Sequence, residues 1–254
     1  MDGVVLGVLC GLATVQTWPV GAAQAATRVD SAPNYAAYTG TASASSATAV
    51  VRVSTLDCSY TAAGRLAGQG AGVRLTGGGV FAAAEIRTYC AGQTPVFAVE
   101  FALPRHGVEV YHSSALTVSP FDSVRLTVQL SATTALARAQ NVTSHAADHF
   151  TSKDTPIHSG VPFFIMTTIP ANASGGVLLD GKPTAGNPTI PGPVSTAGTS
   201  ERFTGSNVDG QPLGELAGLR AVWWMDVAHS TPLVAVSGLA AGGRRFDFAV
   251  LLPA

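Results

Sequence analysis

Apolar and polar residues alternate along many short stretches of this chain, with a period of two. From Val96 onward, Phe97, Val99, Phe101 and Leu103 fall on one face and Val96, Ala98, Glu100 and Ala102 on the other, the pattern of a sheet strand. In the preceding stretch Phe81, Ala83, Glu85, Arg87 and Tyr89 share one face, and Val80, Ala82, Ala84, Ile86 and Thr88 share the other. One face is apolar and the other chemically mixed. Gly92 to Pro95 supplies the break between the two strands. Similar alternation predicts strands at 49–54, 108–111, 115–118, 123–131 and 134–143. Residues 161–169 are almost continuously apolar, as expected of a strand buried on both faces. Residues 220–228, 233–236 and 245–251 complete the set.

The glycine run Gly77-Gly78-Gly79 invites a phosphate-loop reading, but no Lys-Ser/Thr follows it and no helical pattern opens after it. A hairpin turn between 73–75 and 80–81 is the plainer account. No stretch carries an amphipathic helical pattern with caps at both ends. Many short strands between turn signals, with no intervening helices, predict an all-β fold, an antiparallel β-sandwich of two large sheets. Residues 170–193 are rich in Gly, Pro, Asn and Thr and read as a long surface excursion. Strands of the same composition resume after it, so residues 26–254 are expected to form a single domain.

Charge narrows the class of partner. Charged residues make up only 11% of the chain and the net charge is −1, so the basic footprint that holds a phosphate backbone is missing and nucleic acid is not expected as a partner. The apolar run from Val4 to Ala13, followed by Ala23-Gln24-Ala25, reads as a signal peptide over residues 1–25, too short to span a bilayer. The expectation is a secreted or cell-surface protein with no membrane span in the mature chain. Removal of that segment takes Cys10 with it and leaves Cys58 and Cys90. An oxidising compartment favours their pairing, the alternative being two separate buried thiols.

Several residues are candidates for chemistry. His145, Asp148 and His149, with His158 beyond them, are the raw material of a metal site. A spacing of four aligns two histidines only on a helix, and here they lie between strands, so a solvated loop is expected, with no metal and no cofactor. Trp223 and Trp224 point one indole to each face of their strand, either as packing or as the floor of a cleft that stacks a sugar or peptide. Asn141-Val-Thr143 and Asn172-Ala-Ser174 match the N-glycosylation acceptor pattern. Glu85 and Arg87, two apart in one strand, emerge on the same face about 7 Å apart. They read as a structural ion pair or, alternatively, place an acid in a cleft.

Four segments, in order, resemble the glutamic peptidases, the eqolisin family. Asn34-Tyr35-Ala36-Ala37-Tyr38 stands where the family has Asn-Trp-Ala-Gly-Tyr. Glu85 through Cys90, running on to Phe97 and Pro104, resembles its Gln, Thr, cysteine, aromatic strand and proline. Val118 to Val124 resembles Val-x-Pro-Gly-Asp-x-Ile, and Phe164-Ile165-Met166-Thr167 resembles Trp-Ile-Val/Met-Glu. The resemblance implies a concanavalin-like sandwich with one sheet face bent into a substrate cleft. In the family a Glu acts as general base on the attacking water and a Gln donates to the oxyanion. Here Glu85 stands at the Gln position and Thr167 at the Glu position.

The reading that follows is an exported eqolisin-like protein that lacks the family's dyad and binds a peptide or glycan without cleaving it. One alternative is an acid-acting glutamic-type endopeptidase with exchanged roles, Glu85 as base and the Thr167 hydroxyl as donor. The other is a carbohydrate-binding or structural surface protein unrelated to peptidases, anchored by Trp223 or Trp224. On the resemblance, Glu85 and Thr167 are the catalytic candidates, and Tyr35, Tyr38 and Arg87 the substrate-binding ones. Glu100 sits one position before the family's strand acid and is expected to point elsewhere.

Overall fold

The computed structural model describes residues 29–32, 35–56, 58, 68–91, 93–169, 200–226 and 231–251. The expected signal peptide, Cys10, Asn34, the excursion after residue 169 and Asn172 lie outside the described residues.

The first half of the chain holds β1 (Val29–Ala32), β2 (Tyr35–Thr39), β3 (Ser46–Arg52), β4 (Gly68–Gly77), β5 (Val80–Ala91), β6 (Thr94–Arg105), β7 (Val108–Ser113) and β8 (Ser123–Leu130). The second half holds β9 (Thr134–Asn141), β10 (Ala147–Lys153), β11 (Val161–Ile169), β12 (Ser200–Val208), β13 (Gln211–Pro212), β14 (Arg220–Asp226), β15 (Thr231–Val236) and β16 (Phe246–Val250). Hydrogen-bonded neighbours run in the order β10-β9-β8-β3-β12-β16-β15-β14-β2-β11-β4-β5-β6-β7, with β1 beside β14 and β13 beside β12. The β1–β14 pair is parallel. This path folds over so that β4, β5 and β6 pack across β3, β8 and β9. The result is the β-sandwich that the alternation predicts.

The core lies between the two layers. Val124, Leu126, Val128 and Leu130 of β8, with Ala135, Ala137 and Ala139 of β9, face Val73, Leu75, Val99, Phe101 and Leu103 of the opposite layer. Towards the other end an aromatic group fills the space: Phe246 stacks on Phe203 at 4.8 Å and meets Tyr38 and Phe248 edge-on at 4.9 and 5.3 Å. Edge-on and offset ring pairs add to the area they bury because each ring's positive edge meets a negative face.

Turn chemistry sets the registers. Gly78 and Gly79 have φ of 58° and 81°, and a two-residue hairpin with both central residues left-handed matches the twist of the strands it joins. The expected strand at 115–118 is absent. Leu116 and Val118 are buried, but among the described residues the segment joins no strand ladder, since alternation reports burial and not a ladder partner. Phe121 is left-handed at φ 71° and 61% exposed, at the position where the resembling motif has Gly. Its ring lies 5.3 Å from the Arg52 guanidinium, and its N–H donates to the Val53 carbonyl at 2.8 Å.

Cys58 and Cys90 form a disulfide across 32 positions, with their Cα atoms 5.6 Å apart. Together with Leu56 they make a small apolar cluster against which Phe97 packs.

Two stability outcomes are expected. Closing a loop of this length contributes about 3–4 kcal/mol, so a Cys58→Ser/Cys90→Ser variant should lose that much in urea titration, and an unchanged midpoint would refute it. At position 121 a β-branched side chain is strained by about 1–3 kcal/mol, so Phe121→Val should be less stable than Phe121→Gly by at least about 1 kcal/mol in the same assay.

Candidate functional site

Strands β2, β11, β4, β5, β6 and β7 are consecutive, so residues in register share a face. One row reads Tyr35, Thr167, Gly70, Arg87, Ala98, and the next Ala37, Ile165, Gly72, Glu85, Glu100, Ser113. A third holds Phe163, Arg74, Ala83, Ala102 and Tyr111. The alternate residues of these strands, among them Tyr38, Phe164, Val73, Ile86 and Val99, belong to the core. The face away from the core therefore carries two neighbouring patches. One is apolar, built from Ala32, Ala37, Ile165 and Val222 with Tyr35 and Phe163 against it, and the other is charged.

Glu85 is the centre of the charged patch. Its carboxylate accepts from Arg74 Nε, and Arg87 Nη2 lies 3.0 Å from its Oε2. Arg87 Nε lies 2.9 Å from Glu100 Oε2. Arg87 thus pairs with both carboxylates, and among the described residues Thr167 Oγ1 is buried beside them without a hydrogen-bond partner, a condition rare among buried polar groups and costly to maintain.

Two glycines make this arrangement possible. A Cβ on Gly72 would lie 2.2 Å from the Ala84 carbonyl oxygen and 2.8 Å from Glu85 Cγ, so Glu85 can lie across β4 only because residue 72 has no side chain. A Cβ on Gly70 would lie 3.1 Å from Glu85 Oε2, 3.1 Å from Thr167 Oγ1 and 3.3 Å from Arg87 Nη1. Three polar groups thus converge above one bare α-carbon.

The two carboxyls differ in acidity. Burial works against ionisation of Glu85, but the guanidinium groups of Arg74 and Arg87 outweigh it and hold the carboxyl below its ordinary value. Glu100 is buried, Arg87 offsets that burial only in part, and the Glu85 charge opposes a second one, so its carboxyl is pushed up to about 7. The two carboxyls are pushed apart in acidity, Glu85 towards its ionised form and Glu100 towards its protonated one.

Glu85, Thr167 and Arg87 therefore come together, with Tyr35 beside Thr167 at the edge of the patch. Tyr38 lies in the core instead, where it is 1% exposed and its hydroxyl donates to the Ser237 carbonyl at 2.7 Å. The expectation for Glu100 is corrected. It stands directly across from Glu85 in the β5–β6 register, because the turn between these strands pairs the two acids on one face. Arg74, Gly70 and Gly72 were not singled out from sequence. Counting back across the Gly78-Gly79 turn pairs Arg74 with Ala83, two residues from Glu85, and would have found Arg74. The Thr167–Gly70 pairing joins distant segments and leaves no local signal.

Other candidates resolve differently. Asp148 and His149 lie in β10, a strand, and Asp148 accepts from Ser114 Oγ at 2.6 Å and the Ala115 N–H at 3.1 Å. No group of three or more metal-ligating side chains gathers among the described residues. Trp224 is 1% exposed, and Trp223 is half-buried against the core. Asn141 is buried, and its amide donates to Asp122 Oδ2 at 2.7 Å.

Removing one member of a buried ion cluster strands the charge of the others. Glu85→Gln should cost about 3–5 kcal/mol in chemical denaturation. Pairing it with Arg87→Met should recover part of that loss, and a single variant as stable as the parent would contradict the buried cluster.

No protein-family model matches the sequence, and no curated protein does either. Solved structures do. A scytalido-glutamic peptidase crystallised with a peptide-based transition-state analogue superposes with a TM-score of 0.57 at 15% identity, covering 86% of this chain and 98% of that one. SCP-B, a member of the eqolisin family crystallised with the tripeptide Ala-Ile-His, matches with a TM-score of 0.57 at 14% identity over the same shares of the two chains. The likeness spans both layers of the sandwich, and the chain has an eqolisin-like fold.

Proposed function

We propose that this is an exported ligand-binding protein on the eqolisin-like fold, without the Gln/Glu catalysis of the peptidases it resembles. It would use the mixed sheet face to hold a peptide or a glycan. The observation that carries this reading is the Glu85 carboxylate held by Arg74 and Arg87. A carboxylate kept ionised by two guanidinium groups is a weak proton acceptor, and no amide donor stands beside it at position 167. The buried point over Gly70, where Glu85, Thr167 and Arg87 converge beside the apolar patch of Tyr35 and Phe163, is the place a polar group of such a ligand would have to reach. The Cys58–Cys90 bond and the apolar N-terminal run support export.

One observation favours the second reading, an acid-acting endopeptidase with exchanged roles. Glu85 Oε2 and Thr167 Oγ1 approach the same point above Gly70, and among the described residues the hydroxyl has no hydrogen-bond partner. That is the proximity a base and a donor would need around one substrate carbonyl.

The purified mature chain should leave an unfolded protein substrate uncut across the acidic range. Cleavage that disappears in both Glu85→Ala and Thr167→Ala would replace the binding reading with the peptidase one. In the positive arm, a peptide library and neutral oligosaccharides are passed over the immobilised protein. The retained class should bind Gly70→Ala about tenfold more weakly, a change of about 1.4 kcal/mol. Retention that is indifferent to Gly70, Thr167 and Arg87 substitutions would move the site elsewhere.

A further inference from the structure

A second polar cluster lies on the opposite face of β4, between the layers. Gln69 immediately precedes Gly70, and in a strand neighbouring residues point to opposite faces, so Gln69 enters the core with Ala71 and Val73. There its Nε2 donates to Glu201 Oε1 of β12 at 2.7 Å. The Ser54 hydroxyl donates to the same oxygen. Gln69 is 1% and Glu201 3% exposed. The contact spans from the layer that carries the charged patch to the layer that contains β12.

Among the described residues, no cation compensates Glu201. On the face it shares, β4 presents Ala71, Val73 and Leu75, β5 presents Ile86, Thr88 and the disulfide-bonded Cys90, β16 presents Phe246 and Phe248, and β3 presents Val51. The charged residues nearest in sequence, Arg52, Arg202 and Asp247, occupy alternate positions and point the other way, and Arg202 is bonded to Asp247 at 2.9 Å. Among the described residues, Glu201 therefore meets neutral donors only. A buried carboxyl served by neutral donors keeps its proton more firmly folded than unfolded, since ionisation there must proceed without water or a counter-charge.

We propose that Ser54, Gln69 and Glu201 form a pH-sensitive tie between the two layers, closed while Glu201 is protonated and loosened when it ionises. The direction follows from linkage. Burial, only partly offset by the Ser54 and Gln69 bonds, raises the Glu201 carboxyl to about 7. A group whose folded value lies above its unfolded one, about 4.3 for Glu, contributes its stability in full below the unfolded value. That contribution is withdrawn as pH rises through the folded one. The tie is therefore tight in acid and slack above neutrality, and it acts on the residue adjoining the floor of the proposed binding surface.

The test is the unfolding midpoint of the full mature chain followed from about pH 5 to about pH 8. The parent should lose stability across this window, and Glu201→Gln, which keeps the shape and the acceptor without the proton, should lose markedly less. Glu100→Gln serves as a control, because Glu100 titrates in the same range on the outer face. A parent with no fall, or a fall that survives intact in Glu201→Gln and vanishes in Glu100→Gln, overturns the proposal. Should Glu201→Gln fail to fold, Ser54→Ala decides. Loss of a donor to the ionised form raises the folded value and leaves the unfolded one alone, so the fall must continue to higher pH before it levels off, and an end point left in place overturns it. Amide exchange, corrected for its intrinsic pH dependence, supplies a local readout. Protection should fall together in β4 and β12 above neutrality, and unchanged protection in both counts against the tie.

Discussion

The carboxylate of Glu85 is the charge around which the outer face of the sandwich is arranged. An ion removed from water needs compensation of several kcal/mol, and here two guanidinium groups from β4 and β5 supply it. They reach it only because β4 carries glycine at 70 and 72, which leaves room for side chains to lie flat across the strand. Arg87, once drawn in, brings Glu100 with it, and burial, reinforced by the Glu85 charge, favours the protonated form of the second acid. Two positive charges then face one negative charge at acidic pH. The patch is best suited to neutral or anionic groups and repels cationic ones.

Much of the architecture was legible from alternation alone. Strands β5, β6 and β8 fall where a period of two put them, and the Gly78-Gly79 turn fixes the hairpin that carries Arg74 and Glu85. What alternation cannot do is say which strands meet. Residues 115–118 alternate and bury Leu116 and Val118 without joining a strand ladder among the described residues, and Thr167 finds Gly70 across almost a hundred residues of chain. Glu100 was misplaced because it was read by analogy with a motif. Counting across its own hairpin sets it opposite Glu85. Tyr38 has a similar lesson: its spacing of three from Tyr35 puts the two rings on opposite faces of one strand, one in the apolar patch and the other in the core.

The likeness to glutamic peptidases is of fold, and the chemistry must be judged at the side chains. A fold supplies positions, while catalysis depends on which groups occupy them and how they are held. The outer face holds a carboxylate but immobilises it between two guanidinium groups, with the Thr167 hydroxyl beside it. The inner face holds an amide and a carboxyl in contact, Gln69 and Glu201, out of reach of any substrate. A one-residue alternation separates these two arrangements on the same strand. Both remain buried features whose cost is met by the packing around them.

The buried amide of Asn141 bears on how this protein is made. Its nitrogen is committed to Asp122, its oxygen accepts from the Thr143 and Ser144 N–H groups, and the side chain is closed off by the turn it organises. A sugar attached at that nitrogen has no space in the finished fold. In a cell whose secretory pathway glycosylates nascent chains, acquisition of native structure and modification of this residue exclude each other. The fraction of chains modified early would be the fraction that never matures.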